Sequence, residues 1–222
     1  PPPLYGGARL LGTLSLSLAM FMTVLDSSIA NVSIPAIAGD LGVSISQGTW
    51  VITSFGVANA IALPLTGWLS QRFGQARLFL TSLVLFVLAS LACGLAPNMT
   101  TLIAFRALQG FVAGPIIPLS QTLLLSSYPR AMAGTAMAMW SMTTLVAPVM
   151  GPLLGGWLTD NLSWPWIFFI NVPVGLFAAA LTWSIYRRRD PGPRAVPLDR
   201  VGLALLVLWV GALQLMLDKG KE

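Results

Sequence analysis

The chain has 222 residues, of which 56% are hydrophobic and only 9% charged, and its mean hydropathy is +0.81. That balance excludes a soluble globular protein and predicts an integral membrane protein. Twelve Lys and Arg against seven Asp and Glu give a formal charge of +5, while the lack of His and the single cysteine, Cys93, exclude a histidine pH switch, an internal disulfide and a cysteine metal cluster.

Charges punctuate the chain at wide intervals. About 31 uncharged residues separate Asp40 from Arg72, about 28 separate Arg77 from Arg106, and about 29 separate Arg130 from Asp160, where a spanning helix needs about 20. Divided at Pro, Gly and polar clusters, these runs predict seven spans. They are Leu10 to Ile34, Gln47 to Leu69, Ala76 to Leu95, Thr100 to Ser126, Met132 to Leu158, Trp164 to Tyr186 and Val201 to Leu217. Rich in Leu, Ala and Met, they are too long and too poorly alternating for the strands of a membrane barrel. The expected fold is therefore all-α, a polytopic transmembrane helical bundle whose backbone groups are satisfied within each segment.

With the N-terminus inside, Arg9, Arg72, Arg77, Arg130, Arg187, Arg188, Arg189, Arg194 and Arg200 all fall on the inner side and only Lys219 and Lys221 outside. The stretch "RRRDPGPR" thus reads as a positive-inside anchor and not a nucleic-acid patch. No cleavable signal peptide is expected, because the first apolar stretch runs on as a full span. The domain reading is a six-helix bundle over residues 1–186, a basic proline-bearing connector over 187–200, and a seventh helix over 201–222. Starting at Pro1 and stopping at "DKGKE" just past that helix, the chain reads as part of something longer.

Inside this apolar frame stand two opposite charges. Asp26, in "TVLDSSIANVSIP", lies about 12 Å from the outer end of the first span, and Arg106, in "FRALQG", about 9 Å from the outer start of the fourth, at about 1.5 Å per residue. Facing lipid separately, each would cost about 2.5–3.5 kcal/mol, so pairing or a shared aqueous cavity is expected. Two readings stand side by side: a static ion pair that fixes helix packing, or a proton carrier, Asp26, balanced by Arg106.

The fifth span holds "APVMGPLLGG". Ala147, Gly151 and Gly155 recur every four residues on one face and permit close helix approach, while Pro148 and Pro152 each remove a backbone donor and Gly156 follows. Plain packing and a hinge for alternating access are both open. Upstream, Met132, Met137, Met139 and Met142 form a stripe suited either to core packing or to irregular apolar ligands. Asn31, Asn59, Gln109, Ser120, Gln121 and Thr143 are candidates, with Met142, for sparse contacts in a mostly apolar substrate cavity. Between the second and third spans, "GWLSQRFGQARLF" offers Gly67 and Gly74 for a tight turn and Arg72 and Arg77 for the inner face. No metal site and no nucleophile–base constellation is found, which points away from an enzyme.

Together these stretches resemble the major facilitator superfamily. The glycine–arginine turn is similar to its cytoplasmic loop motif, "LIAFRALQG" to its fourth-span motif with Arg106, Gln109 and Gly110, and "APVMGPLLGG" to its fifth-span antiporter motif. "LDSSIANVSIP" resembles the first-span signature of the fourteen-span drug:proton antiporters, and "SQGTWVITSFGVANAIALPLTGWLS", "GPIIPLSQTLLLSSYP" and "WIFFINVPVG" extend the likeness over nearly the whole chain. It implies the amino-terminal half of a proton-coupled exporter of lipophilic drugs and other toxic compounds in the bacterial inner membrane. Protons are its coupling ion, with no other cofactor. Its implied partners are the drugs, membrane lipids, a periplasmic adaptor of the EmrA type and an outer-membrane channel of the TolC type. A solute symporter on the same fold and a non-transporting scaffold subunit are the alternatives. The superfamily loop has an Asp where this chain has Gln71 and a basic residue where it has Gln75, so the gating role of that acid does not carry over.

Overall fold

The computed structural model describes residues 2–190 and 200–219. Most of the connector, including Arg194, together with Lys221, lies outside the described residues. Eleven α-helices follow in chain order among them: α1 (Gly6–Val32), α2 (Ile34–Asp40), α3 (Ile45–Gly48), α4 (Trp50–Phe73), α5 (Gln75–Gly94), α6 (Met99–Ala113), α7 (Ile116–Ser127), α8 (Ala133–Asn161), α9 (Trp166–Phe169), α10 (Asn171–Tyr186) and α11 (Arg200–Lys219). No strand occurs among the described residues.

Grouped into spans, these are Gly6–Val32, Ile45–Phe73, Gln75–Gly94, Met99–Ser127, Arg130–Asn161 and Trp166–Tyr186, six segments long and apolar enough to cross a membrane. They match the first six expected spans to within a few residues. The expected seventh, Val201 to Leu217, falls within one helix, α11.

Proline sets most of the internal breaks, because it supplies no N–H to the helical ladder. Pro35 follows the break between α1 and α2, where the Ser33 hydroxyl donates to Ile29 O at 2.9 Å. Pro115 separates α6 from α7, and Pro165 precedes α9. Elsewhere side chains define the starts: Asn98 Oδ1 accepts from Thr101 N at 2.9 Å to open α6, and Ser44 with Gln47 forms a capping box at α3. The interior of α8 contains Pro148 and Pro152, yet the helix is unbroken from Ala133 to Asn161.

Small residues decide which helices approach closely. A Cβ on Gly110 of α6 would run into the Phe55 backbone of α4, and one on Gly114 would meet Ala62 Cβ at 2.6 Å. Gly155 of α8 likewise lies on Ile29 of α1, where a Cβ would stand 3.2 Å from Ile29 Cγ2. Two apolar clusters fill the bundle. One, built on Leu16, Phe79, Leu83, Phe86, Leu123 and Tyr186, occupies the arginine-rich end. The other, built on Ile29, Ile37, Leu102, Trp164, Ile167 and Phe168, occupies the opposite end. Large apolar side chains such as Leu88, Leu145, Val149, Leu153 and Phe177 are exposed on the flanks, as lipid-facing positions require.

Candidate functional site: a buried ion pair at the meeting of six helices

The buried face of α6 consists of Met99, Leu102, Arg106, Gln109, Gly110 and Ala113, spaced three and four apart. Arg106 and Gln109 therefore point the same way, into the bundle. On α1 the inward stripe includes Ala19, Thr23, Asp26 and Ile29. Close packing of α6 on α4 through Gly110 brings the Arg106 side chain up to the Val51 carbonyl, to which Nε donates at 3.1 Å.

Arg106 Nη1 donates to Asp26 Oδ2 at 2.6 Å, the one ion pair among the described residues, with side chains 0% and 1% exposed. The same nitrogen donates to Gln109 Oε1 at 2.6 Å. Asp26 Oδ1 accepts twice more, from Asn171 Nδ2 at 2.7 Å and Gln109 Nε2 at 3.3 Å. Asn171 also donates to Ser90 Oγ at 2.9 Å, and Ser90 donates onward to Phe168 O at 2.9 Å. Cys93 Sγ points to Gln109 Oε1 at 3.5 Å. The guanidinium lies between two ring faces, 4.3 Å from the centre of Phe55 and 5.4 Å from that of Phe168. Its Nη2 has no hydrogen-bond partner among the described groups.

One cation and two amide donors converge on Asp26, and charge-assisted bonds of this kind are short and strong. Besides Asp26, the guanidinium is held by its hydrogen bonds to Gln109 and Val51 and by the two ring faces. Asp26, Arg106 and Asn171 sit on α1, α6 and α10, so the network joins those three helices. Among the described residues Asp26 is the only buried carboxylate.

The other sequence candidates go to different places. Asn59 braces α4 on α6, Nδ2 donating to Gly110 O at 3.2 Å. Gln121 faces Met137 Sδ at 3.6 Å, Asn31 is exposed near the end of α1, and Ser120 accepts from Trp140 Nε1 at 3.1 Å. Met142 and Thr143 share a groove of about 340 Å³ between α1 and α8, lined also by Leu14, Ser17, Leu18, Phe21 and Val146. Asn31, Asn59, Gln109, Gln121, Met142 and Thr143 are thus spread over five helices, α1, α4, α6, α7 and α8.

In α8, Ala147, Gly151 and Gly155 are buried against α1, whereas Pro148 and Pro152 face outward and a Cβ on Gly156 would meet nothing. A Cβ on Gly151 would overlap Ser28, whose hydroxyl donates to Pro148 O at 3.1 Å. That carbonyl would ordinarily accept from residue 152, and Pro152 has no N–H to give. Gly67 is not part of the expected turn, since it lies exposed inside α4, which runs on to Phe73; Gly74 alone makes the turn to α5, with φ +95°, a conformation that favours glycine. Arg72 stacks its guanidinium 5.2 Å from the Trp68 ring. Asp190 reaches across from beyond α10 and caps α5, accepting from Ala76 N at 2.9 Å and Arg77 N at 2.7 Å. An acid thus stands at this turn, supplied from beyond the sixth span instead of by position 71.

Sequence reasoning missed Asn171, Ser90 and Asp190. Asn171 had a signal, a lone amide in the apolar run "WIFFINVPVG"; Ser90 and Asp190 had none that distinguishes them from neighbouring polar residues.

A family model described as Major Facilitator Superfamily matches residues 16–217. The chain is 62% identical over 221 residues to the multidrug export protein EmrB of Haemophilus influenzae, covering all of this chain and 43% of that protein. It is 56% identical over 221 residues to the fatty acid resistance protein FarB of Neisseria gonorrhoeae, covering all of this chain and 44% of that protein. The chain thus spans less than half the length of these curated relatives. Among solved structures it is similar to the peptide transporter POT in complex with sulfate, with TM-score 0.75, 14% identity and coverage of 97% of this chain and 47% of that one. A bacterial homologue of the human lysosomal transporter Spinster gives TM-score 0.66 at 19% identity, covering 90% of this chain and 47% of that one.

Proposed function

Since the chain belongs to the Major Facilitator Superfamily, we propose that it forms the amino-terminal part of a proton-coupled antiporter that exports lipophilic drugs and toxic compounds, with Asp26 as the proton carrier. The observation that carries this reading is the buried Asp26–Arg106 pair, joined to Asn171 and Gln109 across three helices. The names of the relatives, multidrug export and fatty acid resistance, support lipophilic cargo.

In the proposed cycle Asp26 takes a proton from the outer side, and the loss of its charge releases Arg106 and loosens the contact of α1 with α6 and α10. The bundle then reorients, Asp26 gives up its proton inward and the pair re-forms, a state that drug binding favours. The face of α8 carrying Gly151 and Gly155 is the packing surface on which α1 rocks, and the groove holding Met142 and Thr143 is this part's share of the drug cavity. The arginine-rich end faces the cytoplasm of a bacterial cell, which the positive-inside bias supports. Residues 1–186 form the transport half-bundle, residues 187–200 the connector, and α11 the first of the extra linking helices. An adaptor of the EmrA type and a channel of the TolC type complete the export route.

The test is proton release from the purified longer protein in detergent when a lipophilic drug is added, comparing the parent with Asp26→Asn. Release is expected in the parent and absent from the variant, which should still insert and fold. Release that persists in Asp26→Asn would reduce the pair to a packing device.

A further inference from the structure

At the arginine-rich end, away from the ion pair, two grooves open on the outer flank of the bundle on either side of Arg77. One, about 330 Å³, runs between α5 and α10 and is lined by Ala76, Arg77, Leu80, Thr182, Trp183, Tyr186 and Arg187. The other, about 420 Å³, runs between α4 and α5 and is lined by Leu69, Phe73, Arg77, Leu78 and Thr81. We infer that the α5–α10 groove is a binding site for the phosphodiester headgroup of an anionic phospholipid, held by Arg77 and Arg187.

Four observations support this occupant. Neither guanidinium forms an ion pair among the described residues, although both are exposed at the groove. Thr182 is 1% exposed, lines the same groove, and its hydroxyl has no hydrogen-bond partner. Such a buried donor is costly unless a ligand accepts from it. Trp183, 53% exposed, stands at the end of a membrane span, where an indole favours the headgroup region. Beyond the groove, Val84 and Leu88 of α5 and Leu176 and Phe177 of α10 are exposed and apolar, which suits acyl chains and gives nothing to a free anion.

Among the described residues, the carboxylate near the groove, Asp190, does not oppose the anion strongly. Asp190 spends both oxygens on the backbone N–H groups of Ala76 and Arg77, where the positive end of α5 balances it. The Tyr186 hydroxyl is occupied by Ser127 at 2.8 Å, so the free polar groups facing the groove are the two guanidinium groups and the Thr182 hydroxyl. Arginine rather than lysine suits this role, since its planar fork meets two phosphate oxygens at once.

The inference is independent of proton coupling and rests only on the membrane placement of the spans. Its test uses the purified longer protein in neutral detergent, with dioleoyl phosphatidylglycerol and dioleoyl phosphatidylcholine as probes and native mass spectrometry as the readout. Phosphatidylglycerol should be retained over phosphatidylcholine, and inorganic phosphate at equal concentration should not displace it. In the double variant Arg77→Gln with Arg187→Gln its affinity should fall on the order of thirtyfold, as two lost basic contacts imply, while Arg130→Gln, outside the groove, should bind as the parent does. If the double variant does not fold, Thr182→Val, which keeps both charges, should still weaken retention severalfold. Displacement by inorganic phosphate, an equal loss in Arg130→Gln, or unchanged retention in the groove variants would overturn the assignment.

Discussion

Replacing Asp26 by Asn, Arg106 by Gln, and both together separates the attraction within the pair from the burial of each member. Asp26 Oδ2 and Arg106 Nη1 are 2.6 Å apart with both side chains sealed from solvent. At about 4 Å between charge centres and an effective dielectric of about 20, their attraction is about 4 kcal/mol. Removing one partner of a buried pair costs about 3–5 kcal/mol, because the survivor stays buried and uncompensated. Each single substitution should therefore lower stability by that amount. The double substitution leaves two neutral amides among Gln109, Asn171 and Val51, all able to hydrogen-bond, and no buried charge. Its cost should resemble that of one single change, giving a coupling of about 3 kcal/mol or more against the ~0.5 kcal/mol scatter of independent sites. The assay is reversible unfolding of the purified longer protein in mixed micelles titrated with dodecyl sulfate, followed by tryptophan fluorescence. A double variant whose cost equals the sum of the two singles would refute the reasoning.

Further expectations follow from single contacts. Gly151→Ala drives a Cβ into Ser28 and should cost about 1–3 kcal/mol, whereas Gly156→Ala meets nothing within 4 Å and should stay within about 1 kcal/mol of the parent; thermal melts of the two side by side check this. Asp190→Ala uncaps α5 and should cost about 0.5–2 kcal/mol, seen as faster hydrogen exchange at the amides of Ala76 and Arg77. Asn171→Leu removes a donor from both Asp26 and Ser90 and should destabilise by about 1–3 kcal/mol; unfolding in the same micelle titration measures it, and an unchanged midpoint would remove Asn171 from the network.

Spans, small-residue faces and the charged pair were legible because each is a property of one segment in a known solvent. Hydrocarbon demands about 20 apolar residues per crossing, so the gaps between charges located six helices to within a few residues. It also penalises a lone Asp or Arg, so Asp26 and Arg106 at matching depths implied each other before any helix was placed. The spacing of Gly151 and Gly155 marked a close contact in the same way, though not that Ser28 and Ile29 lie opposite.

What the sequence could not contain was the partner of each polar group across the bundle. Asn171, Gln109 and Ser90 are 145, 83 and 81 residues from their hydrogen-bond partners Asp26, Asp26 and Asn171, and no local pattern encodes contacts of that range. Asp190 caps a helix 113 and 114 residues away, so the acid missing at position 71 is replaced by one that no loop motif predicts. Hydrophobicity along the chain determined which segments enter the membrane, since that depends on each segment's own transfer from water. Tertiary packing alone decided which buried donors meet which acceptors, and thereby turned two isolated charges into one network spanning α1, α4, α5, α6, α9 and α10.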